Sequence, residues 1–72
     1  MSTVWTVDRE YESADWHCET IAICASQEVA EQIAEQAARV RDTTWRTDER
    51  GRRVLAGNYE TYVVEECEVR TA

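Results

Sequence analysis

A 72-residue chain with a net charge of −7, 43% of it hydrophobic and 32% charged, bounds one folded domain and argues against a membrane-spanning one. No apolar run approaches the ~20 residues a spanning helix needs. The opening MSTVWTVDRE has neither the basic start nor the apolar stretch of a secretory signal, so a cytoplasmic protein is expected.

Proline is absent, and three Trp and three Tyr are spread along the chain, unlike the composition of a disordered segment. Ser2 to Val7 (STVWTV) is β-branched and aromatic and predicts a first strand. Asp8 to Asp15 is polar and acidic and reads as a connection, with room for frayed strand at each end. Trp16 to Ala25 (WHCETIAICA) predicts a second strand, apolar on both parities at its centre, as in a strand covered on both faces.

Ser26 then offers an N-cap, and Gln27 to Arg41 predicts a helix. Val29, Ala30, Ile33, Ala34, Ala37 and Val40 fall within an arc of about 140°, opposite Glu28, Glu31, Gln32, Glu35, Gln36 and Arg39. Glu28 and Glu31 sit early, and Arg39 and Arg41 late, as the macrodipole favours. The alanines on the apolar arc would let this helix lie close to a sheet.

Thr44 to Asp48 and Arg52 to Ala56 read as two short strands around Glu49-Arg50-Gly51, with Gly51 suited to a positive φ. A single long loop over the same stretch is the competing reading. Gly57 and Asn58 predict a turn, and Tyr59 to Arg70 the last and longest strand. Its apolar pattern slips between Tyr62 and Val64 on one parity and Cys67 and Val69 on the other. A bulge at Glu65-Glu66 would return all four to one face, and such a bulge is expected.

The resulting class is α+β: a small antiparallel sheet, ordered β-β-α-β-β-β along the chain, packed on one amphipathic helix. One helix covers one face only. Trp5, Trp16 and Trp45 are candidates to line the other, and an exposed aromatic face would favour a homodimer or another partner.

The charge is uneven. Between Arg39 and Arg53 six arginines stand against three acids, a net of +3, while the remainder of the chain carries −10. All eight basic residues are Arg, a coding bias expected of GC-rich genomes. Cys18, Cys24 and Cys67 are an odd set without CxxC spacing, which argues against a disulfide framework or zinc knuckle and for small buried thiols. His17 is the one histidine, and Cys18 beside it would point to the other face of a strand.

Val4-Trp5-Thr6-Val7, the run Ser26-Gln27-Glu28-Val29-Ala30-Glu31, and Tyr62 to Val69 together resemble small proteins of unassigned role from actinobacteria and their bacteriophages. The resemblance spans most of the chain on generic motifs. It implies the fold and a GC-rich origin, and it carries over no site residue.

No GxGxxG, P-loop, HExxH or nucleophile elbow occurs, and no cofactor or metal signature is present. The expected function is therefore that of a small acidic accessory protein without catalytic activity, one that occupies or regulates a larger protein, such as a phage product on a host protein. The candidate interaction surface is Trp5, Trp16, Trp45, Arg46, Arg50, Arg52, Arg53, Glu65, Glu66 and Glu68. Acidic mimicry of nucleic acid is a special case that the basic segment opposes. The alternative is nucleic-acid binding through residues 39–53, with Trp45 as a stacking platform. An enzyme ranks below these, in the form of a dimer-interface pocket for a small nucleotide.

Overall fold

The structure, a computed structural model, describes residues 2–11, 17–39, 41, 43–57 and 60–69. Along the chain these form β1 (Ser2–Tyr11), β2 (His17–Cys24), α1 (Gln27–Ala38), β3 (Trp45–Thr47), β4 (Arg53–Ala56) and β5 (Glu60–Val69). The expected element order is present, and residues 44–56 form a hairpin and not a long loop.

The five strands make one antiparallel sheet in the order β2-β1-β5-β4-β3. β1 and β5 are therefore central neighbours, paired without interruption from Ser2↔Val69 to Tyr11↔Glu60. α1 carries the chain from β2 at one edge to β3 at the other, across one face of the sheet.

α1 begins as expected. Ser26 is extended (φ −140°, ψ 155°), and its Oγ accepts from the Val29 N–H at 3.3 Å. The helix ends at Ala38, short of the expected Arg41, because Arg39 turns left-handed (φ 54°, ψ 37°) and donates its N–H to the Glu35 carbonyl at 3.2 Å. The late arginines thus fall beyond the last turn. Val40 lies outside the described residues.

The buried stripe is Ala30, Ala34 and Ala38, flanked by Ile33 and Ala37, while Val29 is 46% exposed. The expected arc is rotated toward Ala38 because the smallest side chains, not the largest, face the sheet and let the backbone approach it. Beneath them lie Val7, Cys24, Leu55, Tyr62 and Val64, each buried. Fully burying a side chain of Val or Leu size stabilises by about 1.5–3 kcal/mol, which is what holds a helix of 12 residues too short to persist alone.

One sequence expectation is extended by the structure and another fails. The polar stretch after Val7 continues β1 to Tyr11, because Asp8, Arg9 and Glu10 all find pairing partners on both β2 and β5. The bulge expected at Glu65-Glu66 is absent, since β5 holds one register against β1 throughout. The irregularity lies in β2, where Ile21 is the extra residue between Ala22↔Val7 and Thr20↔Asp8. Ile21 and Ala22 both pack toward the helix there, which accounts for apolar residues on both parities.

Without a bulge, β5 divides its side chains by parity. Tyr62, Val64, Glu66 and Glu68 face the helix side, and Val63, Glu65, Cys67 and Val69 the other. On that helix-free face Val63 and Val54 pair directly and are buried. Farther along it Ile23 (69% exposed), Cys67 and Val69 lie at the surface and Val4 is half-buried. Trp5 and Trp45 do not line this face; both pack against the helix-side core. Trp16 lies outside the described residues.

Candidate functional site

The β3–β4 turn is built by Asp48. Its N–H donates to the Arg52 carbonyl (2.9 Å), and its own carbonyl accepts from the Gly51 N–H (3.0 Å). Its Oδ1 accepts from the N–H groups of Arg50 (2.9 Å) and Arg52 (2.8 Å), and its Oδ2 from Arg52 Nε (2.7 Å). Gly51 closes the loop at φ 81°, the positive value expected of it. Partial burial pushes the Asp48 carboxyl up, but the Arg52 and Arg50 N–H groups and the Arg52 guanidinium outweigh that and hold it below the usual carboxylate range.

This turn stands at the level of Val64, where β4 starts with Arg53↔Val64. Beyond it β5 runs on from Glu65 to Val69, paired with β1 on one side. No described strand pairs with it on the other. The result is an open ledge of backbone with a hollow of about 290 Å³ at its inner end. Trp5, Gln27, Arg50, Gly51, Arg52, Arg53, Val64, Glu65 and Glu66 line that hollow.

Most of the residues singled out in the sequence therefore meet at one place. Trp5 comes from β1, Arg50, Arg52 and Arg53 from the hairpin, and Glu65 and Glu66 from β5. Glu68 follows on the ledge. Gln27 and Val64 join them with no signal in the sequence, because nothing local says that the start of a helix will face the middle of a distant strand.

The arginines differ in what they already hold. Arg52 is bonded to Asp48, which raises its pKa. Arg53 Nε reaches Glu31 Oε1 at 3.4 Å and its guanidinium lies 5.7 Å from the Trp45 ring centre. Arg50 is exposed, and among the described residues no carboxylate lies within ion-pair distance of it.

Arg46 pairs with Val54 and so projects from the helix-free face, away from Arg53 and Trp45. The expected nucleic-acid set of arginines around a stacking Trp45 is thus split across the sheet. One face of the indole carries Arg53, and its Nε1–H donates to Glu35 Oε1 at 2.8 Å.

A larger, shallow hollow of about 560 Å³ lies over Gln27, Glu28, Glu31, Gln32, Glu35 and Trp45. Glu31 and Glu35 are already engaged there by Arg53 and Trp45. It is the seam that ties edge strand β3 to the helix.

At the other end of the sheet, β1 and β2 bring together Arg9, Tyr11, His17 and Glu19. Arg9 Nε donates to Glu19 Oε1 at 3.0 Å, and a second guanidinium nitrogen joins the same oxygen. The bond to Arg9 lowers the Glu19 pKa. Arg9 stacks over Tyr11 at 5.4 Å, and His17 Nε2 stands 3.9 Å from Glu19. The buried Tyr62 hydroxyl lies 2.9 Å from Glu60 Oε1 and 3.2 Å from the Ala37 carbonyl. Burial, and then the bond to Glu60, push its pKa up. These contacts clamp the helix end to the sheet.

Among the described residues, no group of three or more His, Cys, Asp or Glu side chains is placed to hold a metal. Of the thiols, Cys24 alone is buried; Cys18 and Cys67 are exposed, against the expectation of packed cysteines. Both project from strand positions facing away from the helix core, so the apolar environment that buries Cys24 is missing. Partial desolvation of its thiol, and then the nearby Asp8 and Glu10, raise the Cys18 pKa. No described helix is long and apolar enough to cross a membrane. Comparison with protein-family models, with characterised proteins and with solved structures returned no match, so the site is read from its own geometry.

Proposed function

We propose that this chain is a protein-binding module that takes an extended, basic segment of its partner as an added strand along β5. The observation that carries this reading is the open ledge Glu65–Val69, whose alternate residues turn N–H and C=O groups to a side that no described strand occupies. Main-chain bonds would give affinity there and the side chains specificity.

The side chains define the guest. Glu66 and Glu68 lie on the helix side and call for basic residues across from them. Cys67 and Val69 lie on the other face and call for apolar ones. The guest therefore alternates basic and apolar residues. A second copy of the ledge does not fit: antiparallel pairing about Cys67 would set Glu66 against Glu68. This is a mode of action suited to a small accessory protein that occupies a surface on a larger one.

The test is titration of the ¹⁵N-labelled protein with the acetylated peptide Ser-Val-Arg-Val-Arg-Val, followed by amide shifts. Shifts concentrated at residues 65–69, and their loss in the double variant Glu66→Arg, Glu68→Arg, are expected. The same variant should gain binding to a peptide with Glu in place of Arg. An unshifted ledge would leave the three glutamates the single task of preventing edge-to-edge aggregation, and the proposal would fall.

A second reading concerns a different surface. Ile23, 69% exposed beside Val4 on the helix-free face, favours a homodimer packed through that face. Light scattering at high micromolar concentration tests it, with Ile23→Glu expected to leave a monomer.

A further inference from the structure

We infer that the ledge captures a C-terminal tail, with the guest's terminal carboxylate seated in the arginine-lined hollow. This rests on the strand-addition reading above and specifies its direction and end point. Every pairing in the sheet is antiparallel. An antiparallel guest on β5 runs from Val69 toward Glu65, so its C-terminal end arrives beside Val64, at the mouth of the hollow.

There the guest meets the start of β4 and the turn at Gly51 and Arg52, which occupy the line it would otherwise follow. A chain that ends at this point fits, and one that continues is blocked. The same stop brings the last residue to Arg50, Arg52 and Arg53. Two of these are bonded to carboxylates of the chain itself, and Arg50 is the one with no carboxylate at ion-pair distance among the described residues.

Gln27, in the first turn of α1, lines the same hollow and adds the positive end of the helix dipole. Glu65 and Glu66 also line the hollow, and Arg52 and Arg53 are paired with Asp48 and Glu31, so the preference for a carboxylate rests on Arg50 and the orientation on the course of β4.

The experiment compares the acetylated peptide Ser-Val-Arg-Val-Arg-Val as free acid, as C-terminal amide, and with Gly-Gly added after the last Val. Each is titrated by calorimetry into the intact chain and into Arg50→Gln. Arg50 makes no side-chain contact with the core, and circular dichroism checks that the variant folds.

The free acid should bind about tenfold more tightly than either the amide or the extended form, as expected for a charge-assisted contact at a half-open site. Arg50→Gln should erase the difference between the free acid and the amide. General attraction to a chain of net charge −7 acts in the opposite sense, because amidation makes the peptide more cationic. Equal or tighter binding of the amide, with Glu66→Arg and Glu68→Arg still abolishing it, overturns the capture of the carboxylate while strand addition stands. If no form binds, both fall together.

Discussion

Arg39 holds a left-handed backbone (φ 54°, ψ 37°) at the end of α1, a region that costs a residue with a Cβ about 1–2 kcal/mol. Its side chain is exposed and makes no ion pair with a described residue. Arg39→Gly should therefore stabilise the fold by ~1 kcal/mol, seen as a rise in melting temperature of roughly 4–8 °C. A fall would mean that the Arg39 side chain contributes more than its backbone costs. Asp48 and Glu19 make a pH prediction of definite sign. Both carboxyls are held below their ordinary values in the folded chain, so the unfolded chain takes up these protons first as the solution is acidified. Their contribution is complete above about pH 5 and is lost as pH falls through the unfolded and then the depressed values. Urea midpoints measured from pH 6 downward should decline below that point, and less steeply in Asp48→Asn. Several single residues were legible in advance. Ser26 as a cap and Gly51 at positive φ follow from local chemistry alone. The tryptophans did not, because which face Trp5 and Trp45 join depends on strand parity fixed by distant partners.

Ala30, Ala34 and Ala38 form the closest approach between α1 and the sheet, with Ala30 and Ala34 fully buried. Ala34→Leu inserts volume where no space exists and should cost about 1–3 kcal/mol in a denaturant titration. Ala34→Gly should cost about 1 kcal/mol from helix propensity, so the larger side chain should do at least as much harm as the smaller. Between elements the sequence was informative about existence and less so about limits. The helix, the hairpin and the long last strand follow from periodicity and turn chemistry. The extension of β1 through Asp8-Arg9-Glu10 does not, since its pairing partners lie in β2 and β5. The bulge followed the same logic. The irregular pattern of β5 pointed to one there, yet β5 keeps its register and leaves Cys67 and Val69 exposed, while β2 takes up the extra residue. The ledge was hidden for the same reason: an open edge is a property of where a neighbouring strand begins.

At the scale of the molecule, the proposed guest is cationic and the chain is not. Binding of the Val-Arg peptide should weaken severalfold as salt rises from about 50 mM to about 500 mM, because screening shortens the reach of exposed charges to within a few ångströms. A salt-independent affinity would mean that apolar and main-chain contacts dominate the ledge. The central pairing has a different consequence. β1 and β5 join residues 67 positions apart at Ser2↔Val69, and the strands between them can form only hairpins at the two margins until β5 arrives. The sheet is thus completed from its middle, by the last strand described, and loop closure must be met before that strand contributes anything. For so small a chain this topology sets a slow refolding rate, in milliseconds or longer and not microseconds. A nascent chain still lacking Glu60–Val69 has two separate ribbons, each with a bare inner edge and an uncovered apolar side, and until that last segment emerges it is the form most exposed to proteases and to its neighbours.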